Sequence, residues 1–325
     1  MNKIKIGMTM GDPAGVGPEI IIRAMQKLTR REIPVDFLVI GDRGVLEIYL
    51  SKFKGRNLLS RKNLIWVDLK NVEKRKFKPG VPKPEYGRAS LEYINYAVNL
   101  LKRGEISALV TAPVSKEMIS KSGLNFSGHT EYLSSSFPSS DTLMMLVNRY
   151  MRVVPLTRHI ALKEVPRYIT YSFFYKYIKL TGDYLKKYFS LSYPQIAVCA
   201  LNPHAGEGGE LGKEEEKIIV PVIRELNKGN TLRIYGPYPA DGFFSRYKKD
   251  QYDCIIGMYH DQVMIPVKMI DPEHTVNVTL GLPFVRTSPG HGTAFDIAGK
   301  GKASFTSMFE AIKMAYQLTR NAFSF

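Results

Sequence analysis

Six histidines, His129, His159, His204, His260, His274 and His291, are the side chains of this sequence best suited to chemistry. His159, His204 and His260 each follow closely on an apolar run that reads as a strand. In open α/β folds ligands bind beyond the carboxyl ends of strands. Three imidazoles carried there would suit a borderline divalent ion such as zinc, cobalt or manganese. No two of them are close enough in sequence to share a helix face, so spacing alone also allows three unrelated loop histidines. A second feature is Met10-Gly-Asp-Pro-Ala-Gly-Val-Gly-Pro-Glu19, which sets glycines between a strand and a helix. A helix start of this kind favours anions, but the segment is neither a dinucleotide fingerprint nor a Walker loop, and it reads equally well as a tight turn. A third is the small-residue loop from Ser288 to Gly301, with His291 and Asp296 in it, able to lie flat against a planar ligand or to be a plain surface loop. Lys268, Asn277 and Arg286 form a fourth set, of residue types that hold phosphate or carboxylate.

Strands and helices alternate around these features. Strands are expected at Ile4–Met8, Val35–Ile40, Leu64–Val67, Ala108–Thr111, Leu143–Val147, Arg152–Leu156, Gln195–Ala200 and Cys254–Tyr259. Helices are expected from Pro18 to about Leu28 and over Gly87–Arg103, Phe173–Phe189, Lys213–Leu226 and Phe305–Leu318. In Gly87–Arg103 the residues Leu91, Ile94, Ala97, Val98 and Leu101 fall on one stripe. The sum is an α/β chain with a mixed, mainly parallel sheet. No internal repeat or low-complexity linker marks a boundary.

Composition narrows the class. With 325 residues and 44% hydrophobic content the chain can bury a core, and its length suits about two domains. No apolar run approaches the roughly 20 residues that span a bilayer. The opening residues alternate too closely for a secretory leader, and Cys199 and Cys254 sit in apolar runs as reduced, buried thiols would. The expected location is the cytoplasm, with no membrane partner. Much of the formal charge of +16 comes from residues 52–78, with ten Lys/Arg against two acids. No nucleic-acid motif accompanies that run, so it reads as a solvated surface and no nucleic-acid partner is expected.

Seven blocks taken together resemble the 4-hydroxythreonine-4-phosphate dehydrogenases. They are Gly11–Glu19, Thr111–Lys116, Gly128–Glu131, Asn202–Glu207, Gly236–Gly242, Tyr259–Gln262 and Gly290–Gly301, and the likeness covers nearly the whole chain. The resemblance implies an isocitrate/isopropylmalate dehydrogenase-like fold of two α/β domains with a cleft. The expected domains are 1–125 plus 270–325, and 126–269, the latter holding the metal ligands and dimer contacts. The His-Gly-Thr-Ala loop, with His291, Gly292, Thr293, Ala294 and Asp296, would pack on NAD or NADP, which explains a nicotinamide enzyme without a dinucleotide fingerprint. Carried over residue by residue, His159, His204 and His260 would hold one divalent metal (zinc, magnesium, cobalt or manganese), and His129, Thr130, Lys268, Asn277 and Arg286 the substrate. The family's active site lies at a homodimer interface. The implied reaction oxidises and decarboxylates 4-phosphooxy-L-threonine to 3-amino-2-oxopropyl phosphate in pyridoxine synthesis, with Asp241, Asp261 and Lys268 as candidates for the base. The alternatives are a dehydrogenase of erythronate or threonate 4-phosphate on the same scaffold and, from another class, a phosphate acyltransferase.

Overall fold

The computed structural model describes residues 4–28, 33–137 and 141–324. Its strands among these are β1 (Lys5–Thr9), β2 (Asp36–Gly41), β3 (Leu64–Asp68), β4 (Ala108–Thr111), β5 (Leu143–Val147), β6 (Arg152–Pro155), β7 (Gln195–Cys199), β8 (Arg233–Tyr238), β9 (Cys254–Gly257), β10 (Val276–Leu280) and β11 (Val285–Pro289). The chain packs as two units. One is Met1–Thr142 with Val276–Phe323, and the other centres on Leu143–Thr275. The edges thus fall at 142/143 and 275/276, not at 125/126 and 269/270. The helix His129–Ser136 goes with the first unit because Thr130 reaches Thr279 on β10 there.

In the first unit the strand order is β3-β2-β1-β4-β11-β10. Neighbours are parallel except for β10 and β11, which pair antiparallel with Thr279 opposite Arg286. β1, β2 and β4 are mainly apolar, as strands covered on both faces must be. Ile6, Met8, Phe37, Val39, Leu109 and Val110 are fully buried. The helix Gly17–Lys27 starts on Pro18, places Glu19 in its first turn and Lys27 in its last, and buries Ile20, Ile21 and Ala24.

In the second unit the order is β5-β6-β9-β7-β8. β5 and β6 form an antiparallel pair, and β6, β9, β7 and β8 run parallel. Met144, Val153, Ala197, Cys199, Ile255 and Val263 build one core cluster there. The larger of these, Met144, Val153, Ile255 and Val263, each contribute about 1.5–3 kcal/mol by leaving water. Both cysteines are free and buried, and burial pushes each thiol up to about 12. No helix among the described residues is long and apolar enough to cross a membrane. The basic segment is partly neutralised on the surface, where Arg43 and Lys74 share Glu47 and Lys76 pairs with Glu73.

Candidate active site

Arg286 sits in β11 with 3% of its surface exposed, a charge that burial makes costly unless it is paired. Its donors go to neutral hydroxyls. Nε and Nη2 donate to Thr111 Oγ1 at 3.2 and 2.6 Å, and Nη1 donates to Thr279 Oγ1 at 3.1 Å. No carboxylate pairs with it among the described residues. Burial holds its pKa down at about 10, and only Glu131, acting through space, opposes that. Asn277 lies two residues before Thr279 on β10 and so on the same face. Its Oδ1 is buried without a hydrogen-bond partner among the described residues.

His129 opens the helix His129–Ser136, packed edge-on against Phe126 at 5.5 Å between ring centroids. Part of the residue is open, but its Nε2 is sealed from solvent and has no partner among the described residues. Burial, then the positive charges of Arg286 and Lys116, hold its pKa well below the ordinary value, so the ring is neutral. Among the described residues this wall thus holds a buried cation without a carboxylate partner, lined by hydroxyls, with His129 Nε2 and Asn277 Oδ1 unsatisfied beside it.

The glycine-rich segment plays another part. A Cβ on Gly17 would stand 2.1 Å from Met10 O, and one on Gly11 would stand 2.4 Å from Pro113 O. These glycines let backbones touch, which is the tight-turn reading. The segment also holds the loop after β11. Val16 N donates to Thr293 O at 2.9 Å, and the buried Glu19 accepts from Gly299 N at 3.0 Å. Arg23 reaches Ala303 O at 2.6 Å. His291, Gly292 and Asp296 stay exposed on that loop, with Thr293 and Ala294 partly so.

Under the turn lies Asp12, fully buried. Its Oδ1 accepts from Ala14 N at 2.9 Å, and its Oδ2 has no partner among the described residues. Desolvation lifts its pKa from 3.8 to about 6. Below the unfolded value both states are protonated and nothing is lost. As pH rises towards the folded value the unfolded chain ionises first, so stability falls, by about 3 kcal/mol once both are ionised. Asp12→Asn keeps the Oδ1 acceptor and removes the charge. It should therefore raise the melting temperature at pH 7.5 and not at pH 4. Thermal unfolding at the two pH values checks this, and a gain equal at both would show that ionisation is not the cause.

In the second unit, β6, β9 and β7 are adjacent and parallel, and the chain leaves their carboxyl ends towards His159, His260 and His204 respectively. Thr157 Oγ1 donates to Met258 O at 2.7 Å. Gln262 accepts from Met258 N at 2.7 Å and donates to Ala200 O at 2.7 Å, tying together the three strand ends. The rings of His159 and His260 stand 6.1 Å apart, centroid to centroid, in a cleft of about 300 Å³ that Thr157, Leu162, Tyr259 and Asp261 also line. His260 Nδ1 lies 2.6 Å from Asp261 Oδ1.

His204 does not line that cleft. It sits exposed in a run from His204 to Gly208 with every φ positive, three of the five residues not glycine. Strain of this kind persists only where the surroundings enforce it. Here the buried Glu215 accepts from Leu201 N, Asn202 N and Asn202 Nδ2, each at 2.8 Å. No three His, Cys, Asp or Glu side chains group as a metal set among the described residues of the single chain. His159 and His260 thus line one cleft, and His204 stands on a strained loop outside its lining.

The family described as pyridoxal phosphate biosynthetic protein PdxA matches residues 32–315. The chain belongs to the PdxA family. A 4-hydroxythreonine-4-phosphate dehydrogenase of Sulfurihydrogenibium sp. (strain YO3AOP1) is 36% identical over 98% of this chain and 99% of its own. A protein of Bradyrhizobium diazoefficiens, provisionally named D-threonate 4-phosphate dehydrogenase, is 39% identical over 99% of both. Among solved structures, a 4-hydroxythreonine-4-phosphate dehydrogenase from Klebsiella pneumoniae superposes with a TM-score of 0.80 at 32% identity, covering 98% of each chain. An isocitrate dehydrogenase from Methylococcus capsulatus, at 14% identity and a TM-score of 0.52 over 99% of this chain and 87% of its own, shares the fold alone.

For this PdxA chain the sequence left two contributors unseen. Thr111 lies in a matched block but gave no reason to be singled out. Thr279 lies on a strand that its polar-apolar mixture concealed. Of the expected catalytic residues, Asp241 and Asp261 line one shallow cleft of about 430 Å³ beside Tyr259 and Met269, and Lys268 is exposed near the end of the helix His260–Ile270.

Proposed function

We propose that this PdxA protein is a 4-hydroxythreonine-4-phosphate dehydrogenase, oxidising the C3 hydroxyl of 4-phosphooxy-L-threonine with NAD or NADP and releasing CO2 to give 3-amino-2-oxopropyl phosphate. The observation that carries the reading is Arg286, a buried guanidinium held in shape by Thr111 and Thr279, with no carboxylate partner among the described residues. Such a group is suited to the substrate's phosphate or carboxylate. Neutral His129, with its sealed Nε2, and Asn277, with its buried Oδ1, would orient the same ligand, together with Thr130.

His159, His204 and His260 are the residues that would hold a divalent metal. The fit rests on their departure from three adjacent strand ends and on the 6.1 Å pairing of two rings. When bound, such a metal supplies Lewis acidity that makes a coordinated alcohol easier to deprotonate. Asp261 is placed to hold the Nδ1 proton of His260, which leaves Nε2 as the donor atom. Asp241 and Lys268 remain the candidates for the base. The exposed loop with His291, Gly292, Thr293, Ala294 and Asp296 would receive the nicotinamide cofactor, with Glu19 and Val16 holding its backbone in place.

A homodimer completes the proposal. Large apolar side chains are exposed beside each histidine: Leu162 near His159, Leu211 near His204, and Ile265 and Met269 on the His260 helix, at 67, 47, 56 and 79%. A second copy would cover them and bring imidazoles together. The expected location is the cytoplasm, where the substrate and nicotinamide pool would be met.

D-threonate 4-phosphate is a second reading, favoured by the 39% identical relative bearing that name. NADH formation followed by absorbance on the two acids side by side, with and without chelator, tests both. The expected result is a kcat/KM at least about tenfold higher on the amino acid, a preference of ~1.4 kcal/mol. The reverse order would transfer the assignment to the sugar acid, and activity on neither would remove it.

A further inference from the structure

Thr279 belongs to no assigned set of site residues, yet it touches two of them. It is 1% exposed on β10, directly opposite Arg286 in the antiparallel pair. Its Oγ1 lies 3.1 Å from Arg286 Nη1 and 3.4 Å from Thr130 Oγ1. A guanidinium only donates, so Thr279 must accept from Arg286. Its own hydroxyl proton is then left to place, and a buried hydroxyl proton needs an acceptor. Among the described partners of Thr279 the acceptor is Thr130 Oγ1. Either direction leaves one hydroxyl proton without a protein acceptor among the described residues, and that proton belongs on the less buried of the two, Thr130 at 9% exposure against 1% for Thr279. With Thr279 donating, Thr130 keeps its own proton free.

We propose that Thr279 is a positioning residue of the anion site, fixing the guanidinium of Arg286 and turning the hydroxyl of Thr130 into an obligate donor towards the bound oxyanion. Thr111 fixes the opposite edge of the guanidinium through Nε and Nη2. The wall therefore presents donors from two side chains in one orientation, which favours an oxyanion whose contacting oxygens carry no proton. The proposal rests on the reading that this wall holds the substrate's phosphate or carboxylate.

The test uses Thr279→Val, which keeps the shape and removes the hydroxyl, and Thr279→Ser, which keeps the hydroxyl and removes a methyl. Inorganic phosphate, with acetate as the carboxylate arm, is titrated calorimetrically into wild type, both variants and Arg286→Met, alongside kcat and KM for the phosphorylated substrate. Thr279→Val should weaken anion binding about 10- to 100-fold, the loss expected when a charged network loses a member, and raise KM far more than it changes kcat. Thr279→Ser should bind within about threefold of wild type. A merely packing threonine would give the opposite order, with valine harmless and serine the worse, and that order would overturn the proposal. If acetate in place of phosphate shows the valine defect, the proposal stands with carboxylate as the oxyanion. If Arg286→Met binds both anions like wild type, or wild type binds neither, the site itself is misread and the proposal falls with it. Normal binding by Thr279→Val beside a defective Arg286→Met removes the proposal alone.

Discussion

Replacing Arg286 with methionine should lower kcat/KM for the phosphorylated substrate by about 100- to 1,000-fold, the equivalent of ~3–4 kcal/mol, while leaving the protein as stable as before or more so. The two halves of that result have one cause. The guanidinium is buried against threonine hydroxyls with no carboxylate partner among the described residues, and burial has already drawn its pKa down to about 10. In the free protein it is therefore an under-compensated charge, and exchanging such a charge for an apolar chain of similar length is neutral or stabilising. With an anion bound the same charge is paired in a dry setting, where charge-assisted bonds are strongest. A structural arginine would give the reverse pattern, with large destabilisation and activity lost only in proportion to unfolding. Kinetics and thermal unfolding on the same sample separate the two, and unchanged substrate affinity would end the assignment of this wall as the anion site. His129 adds a pH signature. Its folded pKa lies below the ordinary 6.5, so below that pH the unfolded chain takes up a proton that the folded chain refuses, and stability falls on acidification. Bound oxyanion opposes that loss by favouring the protonated ring, so saturating phosphate should flatten the acid side of the stability profile.

The sequence exposed the parts whose signal is local. The helix Tyr171–Phe189 differs from its expected Phe173–Phe189 by two residues at one end, because its apolar stripe is long and an N-cap threonine precedes it. The helix Pro84–Lys102, expected over Gly87–Arg103, starts three residues earlier because Pro84 suits a first turn. Lys213–Leu226 proved less regular, with a π-turn over Glu215–Ile219 before an α-helical Val220–Leu226, since Glu215 is drawn inwards to hold the His204 loop. The helix His260–Ile270 escaped notice because it carries Pro266 and an almost wholly apolar sequence, and part of its approach was absorbed into an overlong β9. The β10–β11 hairpin escaped for a related reason. Asn277, Thr279 and Arg286 put polar side chains into these strands, and they break the apolar pattern by which a buried strand is read. The three histidine-bearing loops were each legible, but their adjacency was not. It depends on β9 lying between β6 and β7, and strand order is set by packing across the whole unit rather than by any one segment.

Exchanging His159, His204 or His260 for alanine should abolish metal-dependent turnover, with a loss of about 1,000-fold or more, and shift the melting temperature little. Small stability effects are expected because His159 and His204 are exposed and the side chain of His260 is 38% exposed, so none contributes a core contact. The division of these ligands allows a sharper test than loss alone. His159 and His260 are paired within one chain, whereas His204 stands on a separate strained loop flanked by exposed Leu211. If a second copy supplies the missing imidazole, inactive His159→Ala and inactive His204→Ala protein, mixed and allowed to exchange subunits, will make heterodimers with one intact site in two. Half of the dimers being mixed, about a quarter of wild-type activity should return. Metal content measured on the same mixture should rise in step. If all three ligands come from one chain, no mixture of the two variants can recover, because every chain lacks one ligand. Full metal occupancy in His204→Ala alone would go further and remove that residue from the site, leaving the two-histidine cleft with Asp261 as a different centre needing its own account.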